Sequence, residues 1–410
     1  MTTRPARVLF TALARSCWLS LGCWLLVPWW PGLLAQEAPT AAAPRVLAPG
    51  IRWYQQIDPR GPWQLSVVRV DLTVRSLSLR AARAMGARTG RELVSALARR
   101  DSARVAINAD FFDLRSGVVE NNHVTDGEWW QGRMVTDSPF DTFDNPHAQL
   151  AVSRSGVPTI DRYVLDGRAW VRDSVLPILG VNDWPRPTPS AAREGSALFT
   201  PRAGAITPRD TTRDGAEVAL QAIPPRGDTL RYIATTDAMA GSGSAIPSSG
   251  AVLAAFGDRA ASLRTVRVGD TVRVWLGIQP ALADGRPPAQ LVGGWPRILE
   301  HGVNVAAEAA SREGTISRNA EARHPRSAVG ISRDRKTLWL VTVDGRAERS
   351  VGMTLVELAD ALRQLGAWDA LNFDGGGSTT LVIDGRVVNT PSDPTGERPV
   401  GNALLVLERR

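Results

Sequence analysis

Residues 337–378, TLWLVTVDGRAERSVGMTLVELADALRQLGAWDALNFDGGGS, decide how the fold is read. Thr337–Val343 is a short apolar run ending in Asp344-Gly345-Arg346, and it predicts a buried strand. Thr354 then stands as a helix N-cap, with Glu357 three residues on to complete a capping box. Met353 and Leu358 hold the positions of a hydrophobic staple. Leu355, Leu358, Ala359, Leu362 and Leu365 recur on one helical face, and Gly366 suits the C-terminal cap. Ala370–Phe373 is a second strand, ending in Asp374-Gly375-Gly376-Gly377-Ser378. Strand, crossover helix and strand predict a parallel pair, with Asp344 and Asp374 leaving the same sheet edge, where open α/β sheets bind ligands.

Working outward, WQLSVVRVDLTV (residues 63–74) alternates apolar and polar positions as half-buried strands do. A helix is expected around Arg91–Arg100 and a short strand over Arg104–Asn108. Residues 185–290 supply strand-like pieces (DTLRYIAT, VLAAFG, DTVRVWLGI) and read as a β-rich section packed on, or inserted into, the main domain. The expected fold class is α+β, a mixed β-sheet flanked by helices, over residues 50–410, with a motif-dense core at 291–410. Residues 36–49 read as a Pro/Ala linker. Residues 1–35 read as a signal peptide or N-terminal anchor: Arg4, Arg7 and Arg15 precede an uncharged run from Ser16 to Ala35. The chain is therefore expected to be exported, to the periplasm, the cell envelope or the medium. Membrane association is expected only through an uncleaved N-terminus.

The composition narrows the function. Of 410 residues, 43% are hydrophobic and 22% charged, which suits a folded chain and excludes a disordered or fibrous one. Both cysteines, Cys17 and Cys23, lie in the first 25 residues, so neither a disulfide scaffold nor a cysteine zinc site is available downstream. The net charge of +7 falls to +4 once the three Arg of residues 1–35 are set aside. No basic run of five occurs, and nucleic acid is not an expected partner.

Seven Asp-Gly pairs occur, and most should be hairpin turns. The three consecutive glycines after Asp374 are more than a turn needs. They expose backbone N–H groups that an anion can approach, so Gly375, Gly376, Gly377 and Ser378 are candidate anion-binding residues. In AINADFFD (residues 106–113), Asn108 and Asp110 share a face at the end of a short strand and can present an amide and a carboxylate to one ligand. Phe111 and Phe112 are expected to anchor that loop in the core. Arg326, in Arg323-His324-Pro325-Arg326, and Arg398, in the loop Asn389–Asn402, are candidate anion clamps.

These motifs, taken in order, resemble the phosphodiester glycosidase family: HPRSAVGI, VTVDGR, LNFDGGGSTTLV, VVNTPSD and ERPVGNALLV, with AINADFFD and LVGGWPRILEHG before them. The resemblance is dense over residues 290–407 and loose over 185–290. Ala109 and Asp110 depart from it where the family has Gly-Gly. It implies hydrolysis of a sugar-1-phosphodiester, N-acetylglucosamine-like, on a cell-envelope or extracellular glycan such as an exopolysaccharide. Asp374 is then expected to carry the chemistry with Asp344 as partner, and Asn108 to hold the substrate. Arg326, Arg398 and the glycine N–H groups would stabilise the phosphate. No cofactor is expected to be required. Ca²⁺ or Mg²⁺ held by Asp110, Asp344 and Asp374 remains an alternative, as does a non-catalytic carbohydrate-binding or envelope-assembly protein on the same fold, using Trp129 and Trp130.

Overall fold

Thr337–Val343 does form a fully buried strand, and Leu355–Gln364 the expected helix. The helix carries both capping-box bonds: Glu357 N–H to the Thr354 hydroxyl at 3.1 Å, and Thr354 N–H to the Glu357 carboxylate at 2.9 Å. Its C-terminus is a Schellman motif. Gly366 at φ 100° donates to Arg363 O, and Ala367 donates to Leu362 O. The second strand, Asp369–Phe373, runs parallel to the first but does not touch it. Arg326–Ile331 lies between them, antiparallel to both. The parallel neighbours expected from the sequence are thus two outer strands of an antiparallel triplet.

The structure is a computed structural model describing residues 39–133, 147–184, 195–210, 214–314 and 321–409. The expected N-terminal export segment lies outside these residues. Strands account for 46% and helices for 12%. The fold is therefore mostly β and made of several sheets, which corrects the α+β expectation of one mixed sheet flanked by helices.

The triplet sits in a nine-stranded antiparallel sheet, continued on one side by Trp63–Asp71 and Ile51–Asp58 and on the other by Arg297–Glu300. Part of the expected linker joins it, since Arg45–Ala48 pairs with Ile51–Asp58. A five-stranded sheet of Leu77–Arg83, Val105–Asn108, Leu381–Ile383, Arg386–Val387 and Asn402–Glu408 faces it. Val68, Val70, Val329, Leu340, Leu371 and Phe373 from the first sheet pack on Leu79, Ile107, Leu381 and Leu404 from the second. This shared apolar layer makes the two sheets a sandwich. The capped helix covers the outer side of the first sheet through Leu355, Leu358 and Leu362. Val94–Arg100 covers the second through Val94 and Leu97.

A third sheet of fourteen strands takes the chain from His123 to Gly293, starting well before the expected residue 185. Its core includes Leu165, Val218, Leu253 and Val274. The pair Trp129 and Trp130 lies in the strand Glu128–Arg133 and is buried, so it offers no surface for a sugar.

Candidate active site

The glycine run is the crossing from one sheet to the other. Asp369–Phe373 belongs to the first sheet and Leu381–Ile383 to the second, and residues 374–380 bridge them. Two bonds pin the crossing: Asp374 N–H to Ala109 O at 2.8 Å, and the Asn108 side-chain amide to Asp374 O at 2.6 Å. The Asn108 oxygen accepts from the Ser327 hydroxyl at 2.7 Å and from Thr380 N–H at 3.0 Å. Asn108 is fully buried, and its side chain ties three segments together rather than opening to a ligand.

Each glycine has its own reason to lack a side chain. A Cβ at Gly375 would lie 2.6 Å from Pro325 O. Gly376 has φ 60°, and its Cβ would lie 3.0 Å from Arg346 Nη2. A Cβ at Gly377 would collide with the Arg398 guanidinium and the Asp393 carboxylate. The loop amides are largely engaged within the fold: Gly376 N–H goes to Pro325 O, Ser378 N–H to Gly375 O and Thr379 N–H to Gly376 O. The Gly run is therefore a space for arginines more than an array of free N–H donors.

Asp374 opens onto a cavity of about 170 Å³ whose wall includes Phe111, Trp295, His324, Arg326 and Arg346. Burial strips its carboxylate of water and pushes its pKa up to about 6, against the pull of Ser378 and the Arg398 charge. Arg326 is buried, and its guanidinium is held by Met353 O at 2.8 Å and Ala322 O at 2.9 Å. Burial lowers its pKa to about 10, so it keeps its charge at neutral pH. His324 is lowered by burial and then by the charges of Arg326 and Arg346, which leaves it neutral. Arg346, exposed over Gly376, makes one long contact to the Ser392 hydroxyl at 3.3 Å. Phe111 meets Trp295 edge-on at 5.7 Å, and His147 stacks behind Trp295 at 4.2 Å.

The other sequence-derived residues are placed differently. Asp344 leaves the same sheet edge as Asp374 but opens onto a separate cavity of about 240 Å³ with Gln55, Gln64, Ser66 and Arg349. Its carboxylate accepts from Thr390 N–H at 3.0 Å, and burial raises its pKa. Asp110 is buried beneath the loop, held by Asn121 N–H and the Asn121 side chain, with its pKa pushed up to about 7 by burial. Arg398 closes its fork on Asp393, at 2.7 and 3.0 Å. Phe112 is buried in the core as expected, whereas Phe111 faces the cavity. Among the described residues no three His, Cys, Asp or Glu side chains converge on one point.

Arg346, His324 and Trp295 are among the cavity residues that the sequence reading did not select. Arg346 stood in an Asp-Gly-Arg turn in a chain with 47 other lysines and arginines, and nothing local distinguished it. No described helix is long and apolar enough to cross a membrane.

Comparison with known proteins agrees with the cavity's position among the C-terminal motifs. Residues 227–407 match the profile of the phosphodiester glycosidase family. A mouse N-acetylglucosamine-1-phosphodiester alpha-N-acetylglucosaminidase is 32% identical over 134 residues, 31% of this chain and 26% of that protein. A prophage-derived uncharacterized protein of Bacillus subtilis is 38% identical over 84 residues, 20% of this chain and 13% of that protein. The chain thus spans only a minor part of the curated relatives it matches. A hypothetical protein from Synechocystis shares the fold, with a TM-score of 0.70 at 24% identity, over 91% of this chain and 64% of that one. The matched stretch, residues 227–407, holds the cavity's Asp374, Arg326 and Arg346, and over it this chain is similar to the phosphodiester glycosidase family.

Proposed function

We propose that the protein is an exported hydrolase that releases a sugar from a sugar-1-phosphodiester on an envelope or extracellular glycan. The observation that carries this reading is the cavity's composition among the described residues: one carboxylate, Asp374, with Arg326, Arg346 and His324 beside the aromatic wall of Trp295 and Phe111. An ordinary glycosidase needs a second carboxyl group to protonate its alkoxide leaving group. A phosphate monoester leaves as a stable anion, since its second pKa is about 6. A lining that among the described residues holds Asp374 as its one carboxylate, with fixed cations beside it, suits that bond.

The geometry supports the following roles. Arg346, the most open cation, receives a phosphate oxygen, and Arg326 supplies a fixed positive charge behind it, so that negative charge developing on the leaving phosphate is stabilised. Asp374, mostly ionised above pH 6, stabilises the oxocarbenium-like carbon or activates water against it. Trp295 and Phe111 bound the sugar side. Asn108 and the Arg398–Asp393 pair position the loop that bears Asp374. The alternative of a non-catalytic binder keeps the cavity but predicts no turnover. Assay of free sugar from N-acetylglucosamine-1-phosphodiesters, comparing wild type with Asp374→Asn, decides between them.

A further inference from the structure

On the large sheet, two neighbouring rows of outward side chains combine tryptophan with arginine. Register sets Trp170 opposite Arg273 and Arg168 opposite Trp275, and Arg273 stands opposite Arg231 on the next strand. The intervening Ala169, Val171, Val272 and Val274 are buried in the sheet's core. The two-residue period therefore turns the Trp and Arg positions outward. Trp275 leans along its strand over Gly277, where a Cβ would collide with the indole, so the ring lies along the sheet. Arg168 sits 5.7 Å from its centroid, and Arg273 sits 5.4 Å from that of Trp170. Each guanidinium lies over its ring at that distance, a looser contact than the 4.0 Å of Arg202 over the buried Trp130.

The charges on this face are unbalanced. Asp166 is engaged by Arg168 at 3.1 Å and Gln279 at 3.2 Å, and Asp270 faces Arg172 at 3.7 Å. Arg231 and Arg273 have no acidic partner among the described residues, and like charges directly opposite on adjacent strands destabilise a sheet. We propose that this face binds an anionic, phosphate-bearing polysaccharide. Trp170 and Trp275 stack on the apolar faces of sugar rings, and Arg231 with Arg273 receives a phosphate between them. The diagonal placement of the two tryptophans on adjacent strands, about 7–8 Å between residues, suits consecutive units of one chain. Two uncompensated cations match a polymer with sparse phosphates better than a nucleic acid, which carries a charge on every nucleotide. This site is separate from the Asp374 cavity and does not require that the cavity be catalytic.

The test is titration of the full chain with phosphomannan, neutral mannan and single-stranded oligo(dT), for wild type, Trp170→Ala/Trp275→Ala and Arg231→Gln/Arg273→Gln. The arginine variant keeps both indoles, and thermal unfolding checks both variants. Wild type should bind phosphomannan about tenfold or more tighter than neutral mannan. Affinity for phosphomannan should fall by about tenfold in each folded variant and weaken with added salt. Equal binding of the two mannans, tighter binding of oligo(dT), or unchanged affinity in the arginine variant would overturn the proposal.

Discussion

The side-chain amide of Asn108, in the second sheet, donates to the main-chain carbonyl of Asp374, at the end of the first, at 2.6 Å. This bond fixes the carboxylate-bearing residue from behind, and Asn108 itself is fully buried. Asn108→Ala is expected to lower kcat by about 100-fold while changing KM little, because it displaces the reacting group rather than a substrate contact. Steady-state kinetics on a sugar-1-phosphodiester check this split. A selective rise in KM would instead make Asn108 a substrate ligand.

Gly377 lies against the Arg398–Asp393 ion pair. Gly377→Ala should force the pair apart and destabilise the protein by about 1–3 kcal/mol. Arg398→Ala in the same chain should recover part of that loss, because the collision with the guanidinium disappears and Asp393 is freed to move. A double-mutant cycle by thermal unfolding measures the coupling, and strict additivity would contradict it.

The Asp374 pKa near 6 lies above that of an unfolded aspartate, so the folded state binds the extra proton. Its contribution to stability is therefore fullest at acid pH and is lost as pH rises from about 4 through about 6. Asp374→Asn should remove this term, so the variant's melting temperature relative to wild type should be higher at pH 8 than at pH 4. Wild-type activity should rise through about pH 6 as the carboxylate ionises.

Asp344 and Arg346 are two residues apart yet serve different cavities. Arg346→Ala should reduce kcat/KM for the phosphodiester by about 100-fold or more. Asp344→Asn should retain most of the activity, in contrast to Asp374→Asn. Loss of activity in Asp344→Asn as complete as in Asp374→Asn would restore the paired-carboxylate reading.

What was legible in the sequence was local. The Thr354 cap, Glu357, the apolar helix face and Gly366 act within a few residues of one another, and all took their expected places. The insertion of Arg326–Ile331 between the two strands was not legible, because cross-strand pairing is not written in either strand's periodicity. For the same reason Asp344 and Asp374 shared the foreseen edge, but the strand between them divides their surroundings. The triple glycine stood out as more than a turn needs, yet its causes, the Pro325 carbonyl and the arginines packed over it, are tertiary contacts. Asp110 drew attention as a charged residue at a strand end, and its Asn121 partner lies eleven residues on, beyond the reach of a motif.

The most direct measurement is release of free N-acetylglucosamine from its 1-phosphodiesters at pH 7, with EDTA present, by wild type and Asp374→Asn. Wild type is expected to turn over, and a folded Asp374→Asn variant to lose about 1,000-fold or more of that rate. Wild-type rates in that variant would contradict it and remove the Asp374 cavity as the seat of the chemistry.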